Sequence, residues 1–423
     1  MLRALRESPK IAIVGGGPAG LRAAEVCAGE GAEVSLFEGK RSVGRKLLVA
    51  GYGGLNITHG EPLEAFVSRY SGPGIPRERF AQMIAGFSPA GMRRWAADLG
   101  IETFEQRTGR VYPREMKAAP LLRRWVERLR KLGVTFHAGH RLSDITITEN
   151  RQRAEESSPT PMSPPHPTAR HGVRLTFENG VVQSFDAVIL ALGGASWPKT
   201  GSDGGWISLF QEKGIRISPL EPANCGWEVA WPEPIVEHIE GCPLKNIAAT
   251  AGNKRVSGEI MLTRYGMEAG AIYQLGPALR AMDKPSVTID LKPEVPLENL
   301  VGKMNGAQAD LPKAARRKLR LTDHAALLLD HFGGPFHTVD SLCYTVKHLP
   351  IPVVRPRPIA EAISSAGGVA WSELDEKLML HKLPGVYTVG EMVDWEAPTG
   401  GYLIQGCLAT ATHAAKSCLG ALQ

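Results

Sequence analysis

The chain has 423 residues, enough for two or three domains with a sizeable core. Hydrophobic residues make up 43% and charged residues 22%, the balance of a globular protein rather than a disordered or fibrous one. Lys and Arg outnumber Asp and Glu by 49 to 43, a net charge of +6 that fits an anionic cofactor and does not by itself argue for nucleic acid.

The opening MLRALRESPK has no apolar core of signal-peptide length, and no later run approaches the roughly 18 apolar residues of a membrane helix. A cytoplasmic chain with no membrane partner is therefore expected. Ile11 to Val14 is an apolar run of strand length, and Gly15-Gly16-Gly17-Pro18-Ala19-Gly20 follows it as a G-x-G-x-x-G turn opening a helix. Gly15 permits the tight turn, Gly17 lets backbone approach a pyrophosphate, and Gly20 lets the helix lie close to the strand. Pro18 suits a first helical turn, where its missing N–H costs nothing. Leu21, Ala24 and Ala28 share one helical face until Gly29 and Gly31 end the helix. Residues 33 to 37 alternate into a second strand ending at Glu38, whose carboxylate can accept both hydroxyls of a ribose. Strand, turn, helix, strand and acid in one compact unit predict an adenine-dinucleotide site. This unit alone leaves FAD and NAD equally open.

Residues 39 to 60 are glycine-rich, and no regular element is expected there. Lys40, Arg41, Arg45 and Lys46 follow the ribose acid and are placed to meet phosphates or frame a ring. Gly51, Gly53, Gly54 and Asn56 let backbone come close to a ligand. Residues 61 to 132 read mostly as helices: Ser88-Pro89 starts one striped by Met92, Trp95 and Leu99, and Leu122, Val126 and Leu129 stripe another. Strands are expected at 134–136, 144–148 and 173–178, the last two joined by a Pro- and Ser-rich loop over 151–171.

Residues 186 to 194 form an apolar strand breaking into Gly193-Gly194, the pattern of a buried parallel strand whose end faces a ligand crevice. From 207 to about 350 the texture changes to short alternating strands (GWEVAW, NIAATAG, GEIML, SVTIDL) and a basic helical piece at 312–330, which predicts an inserted domain. Its run Lys313, Arg316, Arg317, Lys318 and Arg320 reads as a solvated helix face. Residues 385 to 391 form a strand ending in Gly390 and Glu391. Leu403 to Cys418 is a small-residue helix whose start, after Gly400-Gly401, offers free N–H groups to a group gaining negative charge. The six cysteines are scattered with no C-x-x-C pair, which argues against a zinc site, so no metal is expected, and against a disulfide framework.

Two glycine-terminated strands returning to the crevice of the first unit favour FAD over NAD, because an extended FAD needs a late acid for its ribityl chain. The motifs GGGPAG (15–20), GRKLLVAGYGGLNIT (44–58), ALGGASWPKTGSDGGW (191–206), GEIMLTRYG (258–266), SSAGGV (364–369) and GVYTVGEMVDWEAPTGGYLIQG (385–406) run in order over nearly the whole chain. In these the sequence resembles the aminoacetone oxidase (BaiN/RdsA-type) family of bacterial FAD-dependent oxidoreductases. It departs from the family's G-G-G-R-C-N pattern, having Tyr52, Gly54 and Leu55 where Gly, Arg and Cys are usual, and Gly406 where a Trp is common. A divergent subgroup is expected, without the paired cysteines of glutathione-reductase-like chemistry.

The resemblance implies an α/β fold: a Rossmann-like, two-dinucleotide-binding-type FAD domain over 1–196 plus 352–423. An inserted domain over 197–351 carries a β-rich part and a small helical part near 295–335. Gly15, Gly17, Pro18, Ala19 and Gly20 would hold the pyrophosphate, Glu38 the adenosine ribose and Glu391 the ribityl hydroxyls. Arg45, Lys46 and Asn56 would line the ring, and Gly193 and Gly194 would permit close packing. The N–H groups of Gly401, Tyr402 and Leu403 would stabilise a reduced, anionic ring. Gly39, Lys40, Leu142, Ala191, Trp197, Gly390 and Gly400 complete the implied contacts, and Tyr52 and Arg264 are candidates on the substrate side. The expected activity is hydride or electron transfer between NAD(P)H or a small organic substrate and an acceptor. A flavin-dependent tRNA-modifying enzyme and a non-catalytic FAD-binding regulator are the alternatives; no nucleic-acid partner is expected in the leading reading.

Overall fold

The computed structural model describes residues 8–149, 171–307 and 310–422. The loop expected over 151–171 lies outside these residues except for His171, which opens the strand His171–Phe177. The strands flanking it, Leu142–Glu149 and His171–Phe177, pair antiparallel.

The chain divides into two compact units, Met1–Glu221 with Ser365–Gln423, and Pro222–Ser364. At the centre of the first is β1 (Lys10–Val14), in a five-stranded parallel sheet. It pairs with β2 (Glu33–Glu38) on one side and Ala187–Leu190 on the other; Thr135–Ala138 lies outside β2, and Val386–Thr388 lies outside Ala187–Leu190. Ile11, Ala12, Ile13, Val188, Ile189 and Leu190 are fully buried, as strands covered on both faces require. Parallel alignment brings the ends of all five strands to one edge, where ligands of open α/β sheets bind. Between the first two strands runs α1 (Pro18–Gly29), packed against the C-terminal helix Tyr402–Leu422.

One charge is sealed into this packing. Glu25 of α1 is 7% exposed, and its carboxylate accepts from Trp95 Nε1 (2.9 Å), Trp125 Nε1 (3.1 Å), Arg22 (2.9 Å) and Arg128 (3.1 Å). It thereby ties α1 to the helices Pro89–Asp98 and Ala118–Lys131.

Two local expectations are corrected. The stretch 39–60 contains a helix, α2 (Arg45–Ala50), because Arg, Lys, Leu and Ala favour helix and Leu47 is buried. The stretch 61–132 also holds strands: Thr103–Glu105 and Arg110–Pro113 pair with each other, and Thr58–His59 joins them, where β-formers flank a turn at Gly109.

The expected domain boundaries shift as well. Trp206 and Phe210 are buried in the core of the first unit, so the chain leaves it after 221 rather than 196. Val353 packs in the core of the second unit and Pro356 bridges to Trp227, so the chain returns at 365 rather than 352. The second unit is a six-stranded antiparallel sheet with helices, its longest pairing between Pro243–Ala251 and Lys254–Thr263. The basic piece is two helices, Leu311–Lys318 and Asp323–Gly333, broken near Arg320, whose φ is +51°.

Replacing Glu25 strands two arginines and two indole N–H groups in a nearly closed site. Glu25→Ala should lower the stability of the protein by about 3 kcal/mol in urea unfolding. An unchanged midpoint would contradict its structural role.

Candidate functional site

The glycines at 15, 17 and 20 of the first turn are not equivalent. Gly15 sits at φ +107°, and a side-chain carbon there would come within 2.2 Å of the Ala191 carbonyl oxygen. One on Gly20 would lie 1.8 Å from the Gly15 carbonyl oxygen, so both positions are fixed by the protein's own packing. A carbon on Gly17 meets nothing within 4 Å. Its space is open, as a backbone that must approach a ligand requires. Gly390, at φ +73°, lies so close to Ala19 that a carbon on it would be 2.8 Å from the Ala19 Cβ.

Glu38 stands at the tip of β2 and lines the cleft at the strand ends. One carboxylate oxygen accepts from the Gly16 N–H and the other from the Lys40 N–H, both at 2.8 Å. These donors orient the acid and leave it further lone pairs for hydroxyls.

A cleft lies at the strand ends. Of the residues implied as cofactor contacts, Gly15, Gly17, Pro18, Ala19, Glu38, Gly39, Lys40, Arg45, Lys46, Leu142, Ala191, Gly193 and Glu391 line it. Gly20 and Gly390 back it from behind, and a carbon on Gly194 would strike Ser365 Oγ at 2.2 Å. Trp197 stands outside the lining, 39% exposed at the start of a tight turn with φ +59°. Tyr52 is 97% exposed, and Arg264 belongs to the second unit, where it pairs with Glu240 at 3.4 Å. Neither substrate-side candidate lines the cleft.

Lys46 and Glu391, implied at different parts of the cofactor, stand together. Lys46 Nζ lies 2.7 Å from Glu391 and donates to Ser196 Oγ at 2.6 Å, while the Ser365 N–H donates to the other Glu391 oxygen at 2.9 Å. Beside them the Cys407 thiol is pushed up to about 12, chiefly by burial and next by the Glu391 charge, so it stays protonated at neutral pH.

The start of the C-terminal helix carries the most telling feature. Both amide atoms of Asn56, Thr58 Oγ1 and Gln405 Oε1 are buried without any hydrogen-bond partner. A carbon on Gly401 would lie 2.6 Å from Asn56 Oδ1 and 2.4 Å from the Thr58 nitrogen, so Asn56 and Thr58 meet the helix start at Gly401, while the Gln405 amide donates to the Phe87 carbonyl. Buried polar atoms left unpaired cost about 1–3 kcal/mol each, and native sites that carry them await a partner. The Tyr402 side chain turns away, its hydroxyl donated to Glu61 and its carbonyl accepting from Tyr70 at 2.7 Å. Burial and the Glu61 charge raise that phenol. Burial also works to raise Glu61, but its bonds to Arg69 and Tyr402 outweigh this and hold it below the usual range.

An open pyrophosphate cradle, an oriented ribose acid and a set of orphaned polar atoms at a helix start fit an extended FAD. The family model described as the HI0933-like protein Rossmann domain matches residues 9–417. The chain belongs to this family. As an HI0933-like protein it is an FAD-dependent oxidoreductase. It is 25% identical over 426 residues to the 3-dehydro-bile acid delta(4,6)-reductase of Clostridium scindens, covering 95% of this chain and 97% of that one. It is 23% identical over 432 residues to the ribosomal RNA dihydrouridine synthase of Escherichia coli, covering 97% and 98%. The solved 3-ketosteroid-delta4-(5alpha)-dehydrogenase from Rhodococcus jostii, in complex with 4-androstene-3,17-dione, shares the fold at a TM-score of 0.51 with 17% identity over 98% of each chain. Among the described residues of this HI0933-like chain, no helix is long and apolar enough to cross a membrane.

The sequence reading missed Arg141, Ser202, Asp203 and Trp206 as lining residues. They lie just past a strand end or inside a glycine-rich turn, and only the folded chain brings them to the cleft.

Gly17→Ala should fold with unchanged stability yet bind FAD at least about tenfold more weakly, whereas Gly20→Ala should lose about 2–3 kcal/mol of stability. Calorimetric FAD titration and thermal unfolding of both variants check this contrast. Glu38→Ala should weaken FAD binding by about 1.5–3 kcal/mol through loss of a charge-assisted hydrogen bond; unchanged affinity would contradict the ribose contact.

Proposed function

We propose that this oxidoreductase reduces a carbon–carbon double bond conjugated to a carbonyl in a small-molecule substrate, with NADH or NADPH as the diffusible donor. The observation that carries the reading is the unpaired Asn56 amide, with Thr58 beside it, at the start of the C-terminal helix. That amide offers one donor face and one acceptor, the complement of the polar edge of a flavin ring.

The reaction class is supported by the two curated relatives. The bonds that their names specify, the Δ4,6 bonds of a 3-oxo steroid and the 5,6 bond of uracil, are both conjugated to a carbonyl. In such a reduction one carbon receives a hydride and its neighbour a proton.

Bound FAD would take up a hydride from the donor and release it to the substrate, the chemistry that the cofactor itself supplies. The chain's own residues position and shield it. Gly15 to Gly20 and Glu38 anchor the adenosine half far from the reacting carbons. Lys46 and Glu391 pair with one another, and Arg45 lines the same cleft as a cation. Cys407 lies there as a thiol, and among the described residues it forms no disulfide, which favours direct hydride transfer over dithiol exchange.

A second reading, reduction of a base within RNA, is favoured by the relative from Escherichia coli and by the basic run of the second unit. There Arg316 is paired with Asp323, while Lys313, Arg317 and Arg320 form no ion pair among the described residues.

Anaerobic stopped-flow spectroscopy separates these readings. NADH or NADPH should bleach the flavin bands, and an α,β-unsaturated ketone should restore them much faster than its saturated analogue. Restoration by uridine-containing RNA alone would favour the second reading. Slow bleaching by both donors would contradict the donor assignment and leave a non-catalytic role standing.

A further inference from the structure

The adenosine end of the cleft has two walls that meet at a forked ion pair. One wall is built on the tips of β2 and the strand Thr135–Ala138 and carries Glu38, Lys40 and Arg141; the other is the segment 200–205, beyond the strand Ala187–Leu190. Arg141 donates to Asp203 through two nitrogens, at 2.7 and 3.2 Å, the parallel geometry that makes guanidinium–carboxylate pairs directional.

Each partner is braced on its own wall. Arg141 Nε lies 3.1 Å from Glu178, and Asp203 accepts from the Gly205 N–H at 3.0 Å. Between them the segment runs directly over the ribose acid. A carbon on Gly201 would lie 3.2 Å from Lys40 Cγ and 3.7 Å from Glu38 Oε1, and one on Gly205 would lie 2.1 Å from an Arg141 nitrogen. Gly201 and Gly204 take φ of +108° and +69°, conformations that glycine adopts freely and that allow the chain to fold this closely over the cleft. A ligand seated against Glu38 therefore lies beneath a segment fastened at its far side.

We propose that the Arg141–Asp203 pair is a latch that holds segment 200–205 over the adenosine half of FAD and sets how fast the cofactor enters and leaves. The proposal rests on the reading of this cleft as the FAD site. Both are positioning residues: they act on the cofactor through the segment they fasten. The Arg141 and Asp203 side chains keep 40% and 27% of their exposure, so water and salt reach the pair and it opens without unfolding the sheet beneath. Burial works to raise the Asp203 carboxyl, but Arg141, the Gly205 N–H and the Lys40 charge outweigh it and keep the carboxyl ionised near neutrality.

The experiment compares FAD release and FAD uptake in the wild type, Arg141→Ala and Asp203→Asn. Release is read as flavin fluorescence gained on dilution of the loaded protein, and uptake as fluorescence lost on mixing apoprotein with FAD. Opening a latch speeds passage in both directions. Both rate constants should rise about fivefold, the equivalent of about 1 kcal/mol for a partly exposed pair, while the dissociation constant changes less than either. High salt should speed release from the wild type and leave the variants unchanged.

Faster release with unchanged uptake would mean that Arg141 touches the cofactor directly and would overturn the latch. Wild-type rates in both variants would overturn it as well. Asp203→Asn keeps the shape of the side chain and tests the charge if Arg141→Ala folds poorly. Wild-type protein that takes up no FAD would instead overturn the reading of the cleft.

Discussion

The first unit depends on an approach that only glycine permits. Gly20 lies so close to the Gly15 carbonyl oxygen that a side-chain carbon would sit 1.8 Å from it. This lets α1 start directly over the end of β1 and point its first N–H groups at the space beyond the sheet. Because α1 lies that low, its Leu21, Ala24 and Ala28 join the core, and Glu25 reaches two tryptophans. The same placement brings Ala19 against Gly390, so the last strand ends beside the first turn. Two stretches nearly 400 residues apart in sequence are joined by the absence of a few methyl groups.

From that constraint follows a cleft with different chemistry at its two ends. At one end Glu38 is held by the Gly16 and Lys40 N–H groups. At the other end Glu391 is met by Lys46; the unpaired polar atoms of Asn56, Thr58 and Gln405 lie outside the residues that line the cleft. In the proposed reading Glu38 would meet the adenosine ribose and Asn56 the flavin ring.

Much of this was legible in the sequence because it depends on short-range rules. The turn at Gly15 to Gly20 and the acid at Glu38 are separated by fixed steps of a strand and a helix, so their meeting could be anticipated. What could not be read were contacts decided by distant partners. Lys46 and Glu391 each suggested a cofactor contact, but their pairing depends on how strands ten and three hundred residues away align. Arg141 and Asp203 carry no local signal at all, since one follows a strand and the other sits among glycines. Residues 45 to 50 hide their helix in the sequence because flanking glycines mask five good helix formers. The domain boundaries moved because Trp206, Phe210 and Val353 reveal which core they join only when that core exists.

The most direct test of the account is the crystal structure of the FAD-loaded protein. The adenosine ribose should bond to Glu38, the pyrophosphate should lie against Gly17, and the flavin ring should satisfy the Asn56 amide at the start of the C-terminal helix. A ribose placed away from Glu38, or an Asn56 amide still unpaired beside a bound ring, would contradict it.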